Sequence, residues 1–316
     1  MPRRPMTVFR TRVTRVRPLS RDFLRVSLAA PELTELALPA GDGSGPVLDA
    51  YLKLLLPHPE HEGPVLPDLE AADWHRAWFA ASARERGGWM RTYTLRAARP
   101  WTSPEGTPGV EIDVDFVLHG HGDQQGPGAA WAAAARVGDE LSLLGPTRED
   151  VLWGTWDPGR AERYLLGGDE TAAPAIARIL EDLPSSARGV AVVEMPGDKD
   201  ASYLPMHPGI EVRVAGRNGR AHGELLVEGV RRAAEELCPV GVPQKVEEID
   251  VDRELLWDVP RHAKGGDALK RTTLYAWLAG EAAAVRTMRR HLVSERGIDR
   301  RSVAFMGYWR QGRAEG

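Results

Sequence analysis

Cysteine is almost absent: Cys238 stands alone among 316 residues. A single thiol excludes an intrachain disulfide, and it cannot supply the several thiolates an iron–sulfur cluster needs. Any electron that passes through this chain must therefore travel on an organic cofactor. Long apolar runs are missing too. No stretch approaches the roughly 18 uncharged apolar residues of a membrane span, and the basic start carrying Arg3 and Arg4 is not followed by the apolar segment of an export signal. The expectation is a cytoplasmic protein with no membrane insertion. Nor is there a positive excess, since 41 Lys and Arg face 45 Asp and Glu for a net charge of −4. That argues against a general nucleic-acid binder, and an anionic ligand must be met by local basic residues. Internal repeats and low-complexity tracts are lacking as well.

What is present is enough for two domains, with 42% hydrophobic and 27% charged positions. The first half reads as six short alternating strands, Phe9–Arg17, Phe23–Leu28, Ala50–Leu56, Arg91–Ala97, Val110–Leu118 and Glu140–Leu144, separated by loops bearing proline and glycine. Six strands with few helices predict a closed antiparallel β-barrel, which removes exposed edges. Between two of them, Asp73–Glu85 can hold a short helix with Trp74 and Trp78 on one face. After the stretch Trp153–Arg160 the texture changes. Strands at Arg163–Gly167, Gly189–Glu194, Ile210–Ala215, Leu274–Ala279 and Val303–Tyr308 alternate with helices at Pro174–Leu183, His222–Ala234 and Ala282–Arg296. That alternation predicts a doubly wound parallel sheet, which binds ligands at the carboxyl ends of its strands. The expected division is a barrel domain over 1–150 and an α/β domain over 151–316.

Four segments carry candidate chemistry. The first is Arg91-Thr92-Tyr93-Thr94-Leu95-Arg96, on a barrel strand. A flavin needs a flat ring surface, a hydroxyl near N5 and a cation for its pyrophosphate, and Tyr, Thr and Arg meet these needs. Strand alternation places Arg91 with Tyr93 on one face and Thr94 with Arg96 on the other. An ordinary β-rich strand with solvated arginines is the other reading. In the second segment, Asp115-Phe116-Val117-Leu118-His119-Gly120 runs through a loop into Gly126-Pro127-Gly128-Ala129-Ala130-Trp131. Strand, glycine loop and helix opening together leave backbone amides for an anion, unless the glycines serve only the turn. His119 and His121 lack a third partner nearby, so no metal site is expected. The third is Gly167-Gly168-Asp169-Glu170-Thr171-Ala172-Ala173-Pro174, where Thr171 can cap the next helix and paired glycines allow close approach of a dinucleotide. The fourth, Trp277 through Ala282, repeats strand, small residue and helix start, with Glu281 well placed at a helix N-terminus.

Taken in order, these segments resemble the siderophore-interacting protein family, FAD-containing ferric-siderophore reductases related in fold to ferredoxin-NADP reductases. The resemblance extends through Lys53 in Tyr51–Leu56, Glu254–Trp257, the run from Trp277 to Leu292, and Gly307-Tyr308-Trp309-Arg310, spanning nearly the whole chain. It implies that Arg91, Tyr93, Thr94 and Arg96 hold the flavin ring, ribityl chain and phosphate. His119, Gly126, Ala129, Ala130 and Trp131 would surround the rest of the FAD. Asp115 and Val117 on the strand before that loop, and Asp169, Thr171 and Ala172 at the second glycine turn, complete the implied cofactor contacts. Lys53 and Arg310 would belong to a basic substrate pocket, with a solvated surface charge as the alternative for each. The chain departs from the family at Ala129-Ala130, where a serine is usual, which removes one hydrogen bond to a phosphate.

The implied function is transfer of electrons from NADPH, NADH or a ferredoxin through FAD to a ferric siderophore. The donor is expected near Gly167–Thr171 and Ala279–Glu281, with the FAD at the junction of the domains. A nicotinamide gives up two electrons while iron takes one, and a flavin bridges that mismatch. A general NAD(P)H–flavin oxidoreductase and a non-enzymatic siderophore-binding protein are the rivals. Arg213, Arg217 and Arg220 are candidates for a nucleotide 2′-phosphate, or else form a charged surface loop.

Overall fold

The computed structural model describes residues 5–38, 45–61, 63–66, 68–69, 71, 73–118, 126–148, 153–159, 161–238, 257–258 and 274–312. The chain divides into two compact units, Met1–Gly154 and Thr155–Glu315.

In the first unit, β1 (Met6–Pro18), β2 (Phe23–Ala30) and β3 (Tyr51–Pro57) precede the short helix α1 (Trp74–Ala80). Then come β4 (Gly88–Thr94), β5 (Ala97–Thr102), β6 (Pro108–Val117), helix α2 (Pro127–Ala134) and β7 (Glu140–Pro146). The strands form one antiparallel sheet in the order β4-β3-β7-β1-β2-β6-β5. Its two edges, β4 and β5, are consecutive pieces of chain. The expected strand Arg91–Ala97 is thus broken in two, giving seven strands where six were expected. The break is a change of partner: the Leu95 N–H bonds to the Ala50 carbonyl at 2.8 Å, and the next amide, Arg96 N–H, bonds to the Asp113 carbonyl at 2.9 Å. Among the described residues no ladder joins β4 to β5, so the closed barrel expected from the sequence is a seven-stranded antiparallel sheet with β4 and β5 at its two edges, joined by this bend.

Period-two alternation of apolar and acidic residues sets the two faces of β6. On β6, Ile112, Val114 and Phe116 are buried in the core with Phe9, Val26 and Leu54. Each such side chain contributes about 1.5–3 kcal/mol of burial. The intervening Glu111, Asp113 and Asp115 point the other way yet are 6%, 5% and 3% exposed. Arginines cover them. Arg25 grips Asp115 through two bonds of 2.6 and 2.8 Å, Arg96 lies 3.5 Å from the same carboxylate, and Arg99 grips Asp113 through two bonds of 2.8 Å. Burial alone would raise the Asp113 carboxyl, but Arg99 and Ser27 outweigh it and hold it below its ordinary value. A second cluster, Leu55, Trp78, Met90 and Leu144, fixes α1 on the outer face, with Trp74 packed against it.

The second unit contains β8 (Arg163–Gly168), α3 (Ala173–Asp182), β9 (Gly189–Met195), β10 (Ile210–Gly216), α4 (Glu224–Leu237), β11 (Trp257–Asp258), β12 (Leu274–Glu281), α5 (Ala282–Arg290) and β13 (Val303–Trp309). The sheet order is β10-β9-β8-β12-β13-β11, parallel except for β11 at the edge. The helix expected over Ala282–Arg296 ends its regular turns at Arg290 and continues as one wider π turn over His291–Glu295. Gly167 and Gly168 show how closely helices cover both faces. A Cβ on Gly167 would lie 2.9 Å from Val230 of α4, and one on Gly168 would lie 3.0 Å from Ile176 of α3.

The buried carboxylates of β6 and the exposed surface pairs differ in consequence. Asp115→Ala removes the buried carboxylate that Arg25 grips through two bonds and Arg96 approaches at 3.5 Å, and it lowers the unfolding free energy by about 3–5 kcal/mol. Arg12→Ala breaks a pair with Glu140 whose partners are 69% and 68% exposed, and it changes stability by less than about 1 kcal/mol. Equilibrium unfolding in denaturant measures both.

Candidate functional site

Strand β4 lies at a sheet edge, and its pairing with β3 fixes which way each residue points. Tyr93 faces Leu52, Arg91 faces Leu54 and Trp89 faces Leu56, so these three share one face. Thr94 pairs with Tyr51 and Thr92 with Lys53 on the opposite face. Tyr93 and Arg91 are half-buried, neither sealed into the core nor fully solvated. The Tyr93 ring packs on Phe116 at 4.6 Å between centroids, and Phe116 meets Trp131 of α2 at 5.7 Å. This aromatic series ties the strand to the helix.

The tightest point is Gly128. A Cβ there would lie 1.8 Å from the Tyr93 hydroxyl oxygen, so the hydroxyl occupies the space a side chain would need. Tyr93 therefore reaches the first turn of α2. Burial pushes its phenol well above the usual value and Arg91 opposes this only in part, so the hydroxyl is neutral. At the same helix end the N-cap is Gly126, which makes no side-chain cap bond, and Pro127 has no N–H. One face of β4 and the opening of α2 thus carry a flat ring, a hydroxyl, a guanidinium and backbone amides. That set is chemically suited to an aromatic ring system joined to a diphosphate.

The structure gives the other expected contacts different surroundings. Thr94 is half-buried on the face opposite Tyr93, where Tyr51 stacks on Trp153 at 5.7 Å. Lys53 shares that face and donates to the Thr92 hydroxyl at 3.1 Å. Arg96 and Asp115 engage each other in the ion network of β6, and Val117 ends that strand opposite Phe23. Ala129 is buried, Ala130 exposed and Trp131 half-buried on α2. His119 and residues 254–256 lie outside the described residues. The sequence pattern did not reveal that Gly128 is required by Tyr93, because the two meet only through the fold.

In the second unit, the carboxyl ends of β8 and β12 lie side by side where the strand order reverses, with Gly168 opposite Ala279. The glycines expected to admit a nucleotide serve close packing: a Cβ on Gly168 would lie 2.6 Å from Ala172. Thr171 does not cap α3. The N-cap is Ala172, and the Thr171 hydroxyl and amide both donate to Asp169, at 2.5 and 2.9 Å. Asp169 also accepts from the Glu281 amide and the Trp309 indole, each at 2.8 Å. Glu281 caps α5 through the amides of Ala283 and Ala284. Glu194, a lone acid in an otherwise apolar strand, accepts from Gly223, Leu225 and Leu226 and so caps α4. That lone acid was the available signal in the sequence, and its role went unread there.

Arg217, Arg213 and Arg220 are committed to acids. Arg217 is buried and grips Glu170 at 2.5 and 2.6 Å, Arg213 bridges Glu211 and Glu236, and Arg220 pairs with Glu224. The surface-loop reading fails for Arg217, whose guanidinium is drawn inward by two buried carboxylates. Arg310 lines a cavity of about 410 Å³ with His222, Glu281, Ala284 and Thr287.

Burial, reinforced by the charge of Glu170, pushes the Asp169 carboxyl up to about 6 despite its four donors. An unfolded aspartate titrates near about 3.9. Between these values the folded chain holds a proton that the unfolded chain has lost. This group's contribution to stability is therefore greatest below the unfolded value and declines as pH rises to about 6. The difference in unfolding free energy between wild type and Asp169→Ala is expected to fall over that window and to be flat above it.

Residues 12–150 match the siderophore-interacting FAD-binding domain, and residues 161–312 match the siderophore-interacting protein domain. An uncharacterised protein of Mycobacterium tuberculosis is 35% identical over 213 residues, 65% of this chain and 62% of its own length. The ferric vibriobactin reductase ViuB of Vibrio cholerae is 29% identical over 225 residues, 71% of this chain and 66% of its own length. The chain thus spans just under two thirds of the length of these curated relatives. The crystal structure of a siderophore utilization protein from T. fusca is similar at 29% identity with a TM-score of 0.65, covering 99% of this chain and 96% of that one. With both units matched in order along almost the full sequence, the chain belongs to the siderophore-interacting protein family.

Proposed function

We propose that this protein is an FAD-dependent ferric-siderophore reductase that passes electrons from NAD(P)H or a ferredoxin to a ferric siderophore and releases ferrous iron. The observation that carries the reading is the seating of the Tyr93 hydroxyl where a Gly128 side chain would be, beside Arg91 and the opening of α2. ViuB, a relative over 71% of this chain, is named a ferric vibriobactin reductase. Bound FAD supplies the conversion of a two-electron donor into one-electron deliveries.

In this reading Tyr93 offers its ring to the flavin, and Thr94 its hydroxyl. Arg91 neutralises the diphosphate together with the amides of Gly128 and Ala129, which act without the serine usual in the family. Ala130, Trp131, Val117 and His119 border the remainder. Arg96, anchored by Asp115, adds a fixed positive charge at the bend that follows β4. Lys53 and Arg310 supply charge to an anionic chelate, and Asp169, Thr171 and Ala172 mark the strand end that receives the donor. Hard oxygen donors of the chelate favour ferric over ferrous iron, so one electron loosens it. The protein's work is placement and exclusion, with no acid–base triad. The cytoplasm is the proposed location, and no helix among the described residues is long and apolar enough to cross a membrane.

The test is direct. The purified protein is expected to show a flavin absorption spectrum or to take up FAD, and after anaerobic reduction its flavin should be reoxidised by ferric hydroxamate or catecholate chelates. A colourless protein that cannot be loaded overturns the reading. Gly128→Ala places a methyl group against the Tyr93 hydroxyl, and overpacking of this kind is worth about 1–3 kcal/mol. It is expected to weaken FAD binding about tenfold or more, measured by flavin fluorescence titration.

A further inference from the structure

Trp89 continues the line of Tyr93 and Arg91 on the same face of β4, two residues beyond Arg91. At about 3.4 Å per residue, Trp89 lies about 7 Å from Arg91 and about 14 Å from Tyr93 along the strand. An extended flavin adenine dinucleotide has the same linear plan: one ring system, a diphosphate in the middle, and a second ring system at the far end. Trp89 is half-buried. The His58 imidazole lies nearly parallel to it, at 5.1 Å between centroids and 24° between planes. His58 itself is held in place. Its amide donates to the Gly87 carbonyl at 2.8 Å, its Nδ1 accepts from the Glu60 amide at 3.2 Å, and His61 meets its ring edge-on at 5.6 Å. With Nδ1 accepting from that amide, the ring offers Nε2 and a flat face, a surface suited to a purine.

We infer that Trp89 and His58 form a stacking site for the adenine of FAD, so that this chain discriminates FAD from FMN at the end of β4 remote from the flavin ring. The inference rests on the flavin reading above and extends it to the nucleotide end. Stacking at Trp89 supplies binding energy that does not depend on the phosphate contacts.

The experiment compares FAD and FMN binding to the full-length apoprotein by fluorescence titration, for wild type, Trp89→Ala, Trp89→Phe and His58→Ala. Removing one stacked aromatic is expected to weaken FAD about tenfold while FMN binding stays within about twofold. Trp89→Phe is expected to retain most of the FAD affinity, and His58→Ala to lose about threefold. Addition of FAD to the wild type should quench more tryptophan emission than addition of FMN, with the difference abolished in Trp89→Phe. Equal weakening of FAD and FMN in Trp89→Ala, or no change in FAD in both alanine variants, overturns the inference alone. Should Trp89→Ala not fold, His58→Ala and the quenching difference decide it. A wild-type protein that binds neither flavin overturns this inference together with the reading beneath it.

Discussion

The first unit depends on the change of partner between Leu95 and Arg96. One backbone amide bonds toward β3 and the next toward β6, and the Arg96 side chain is held at Asp115. This bend joins β4 and β5, the two edges of the seven-stranded sheet. On β4, Tyr93 comes to rest on Gly128 of α2. The ion network on β6 holds that bend from outside. Its carboxylates are nearly water-free, so each depends on its arginine for charge compensation.

Helix N-termini are handled in two ways. In the second unit the first amides of α4 and α5 are taken by Glu194 and Glu281, and Asp169 collects four donors at the end of β8. These carboxylates knit the strand ends together. In the first unit the N-cap of α2 is Gly126, which makes no side-chain cap bond, and the Tyr93 hydroxyl reaches the first turn of that helix. The positive partial charge at the openings of α4 and α5 is consumed internally by these carboxylates.

Much of the architecture was legible because it is local. Alternation on Phe23–Ala30 and Pro108–Val117, and apolar runs joined by helical periodicity after Arg163, reflect residues that must bury one face or both, and the barrel and parallel sheet follow. Glu281 as a helix cap was readable for the same reason: a cap acts within three residues of itself. The seventh strand was not. A bend that swaps partners across a barrel leaves no period in the sequence, only Leu95 and Arg96 in an otherwise continuous β-rich run.

The sequence by itself determined the kind of cofactor chemistry open to this protein. One cysteine excludes cluster chemistry, and the ordered segments from Arg91 to Arg310 carry the family resemblance. Only the tertiary structure decided what individual residues do. Gly128 exists for Tyr93, Gly167 and Gly168 for helix packing, Arg217 for Glu170, and Trp89 joins Arg91 and Tyr93 in one line. The physical reason is that residue type and spacing fix which face a side chain takes on its own element, whereas the atom it meets across a barrel or a sheet is set by register and close packing between distant segments.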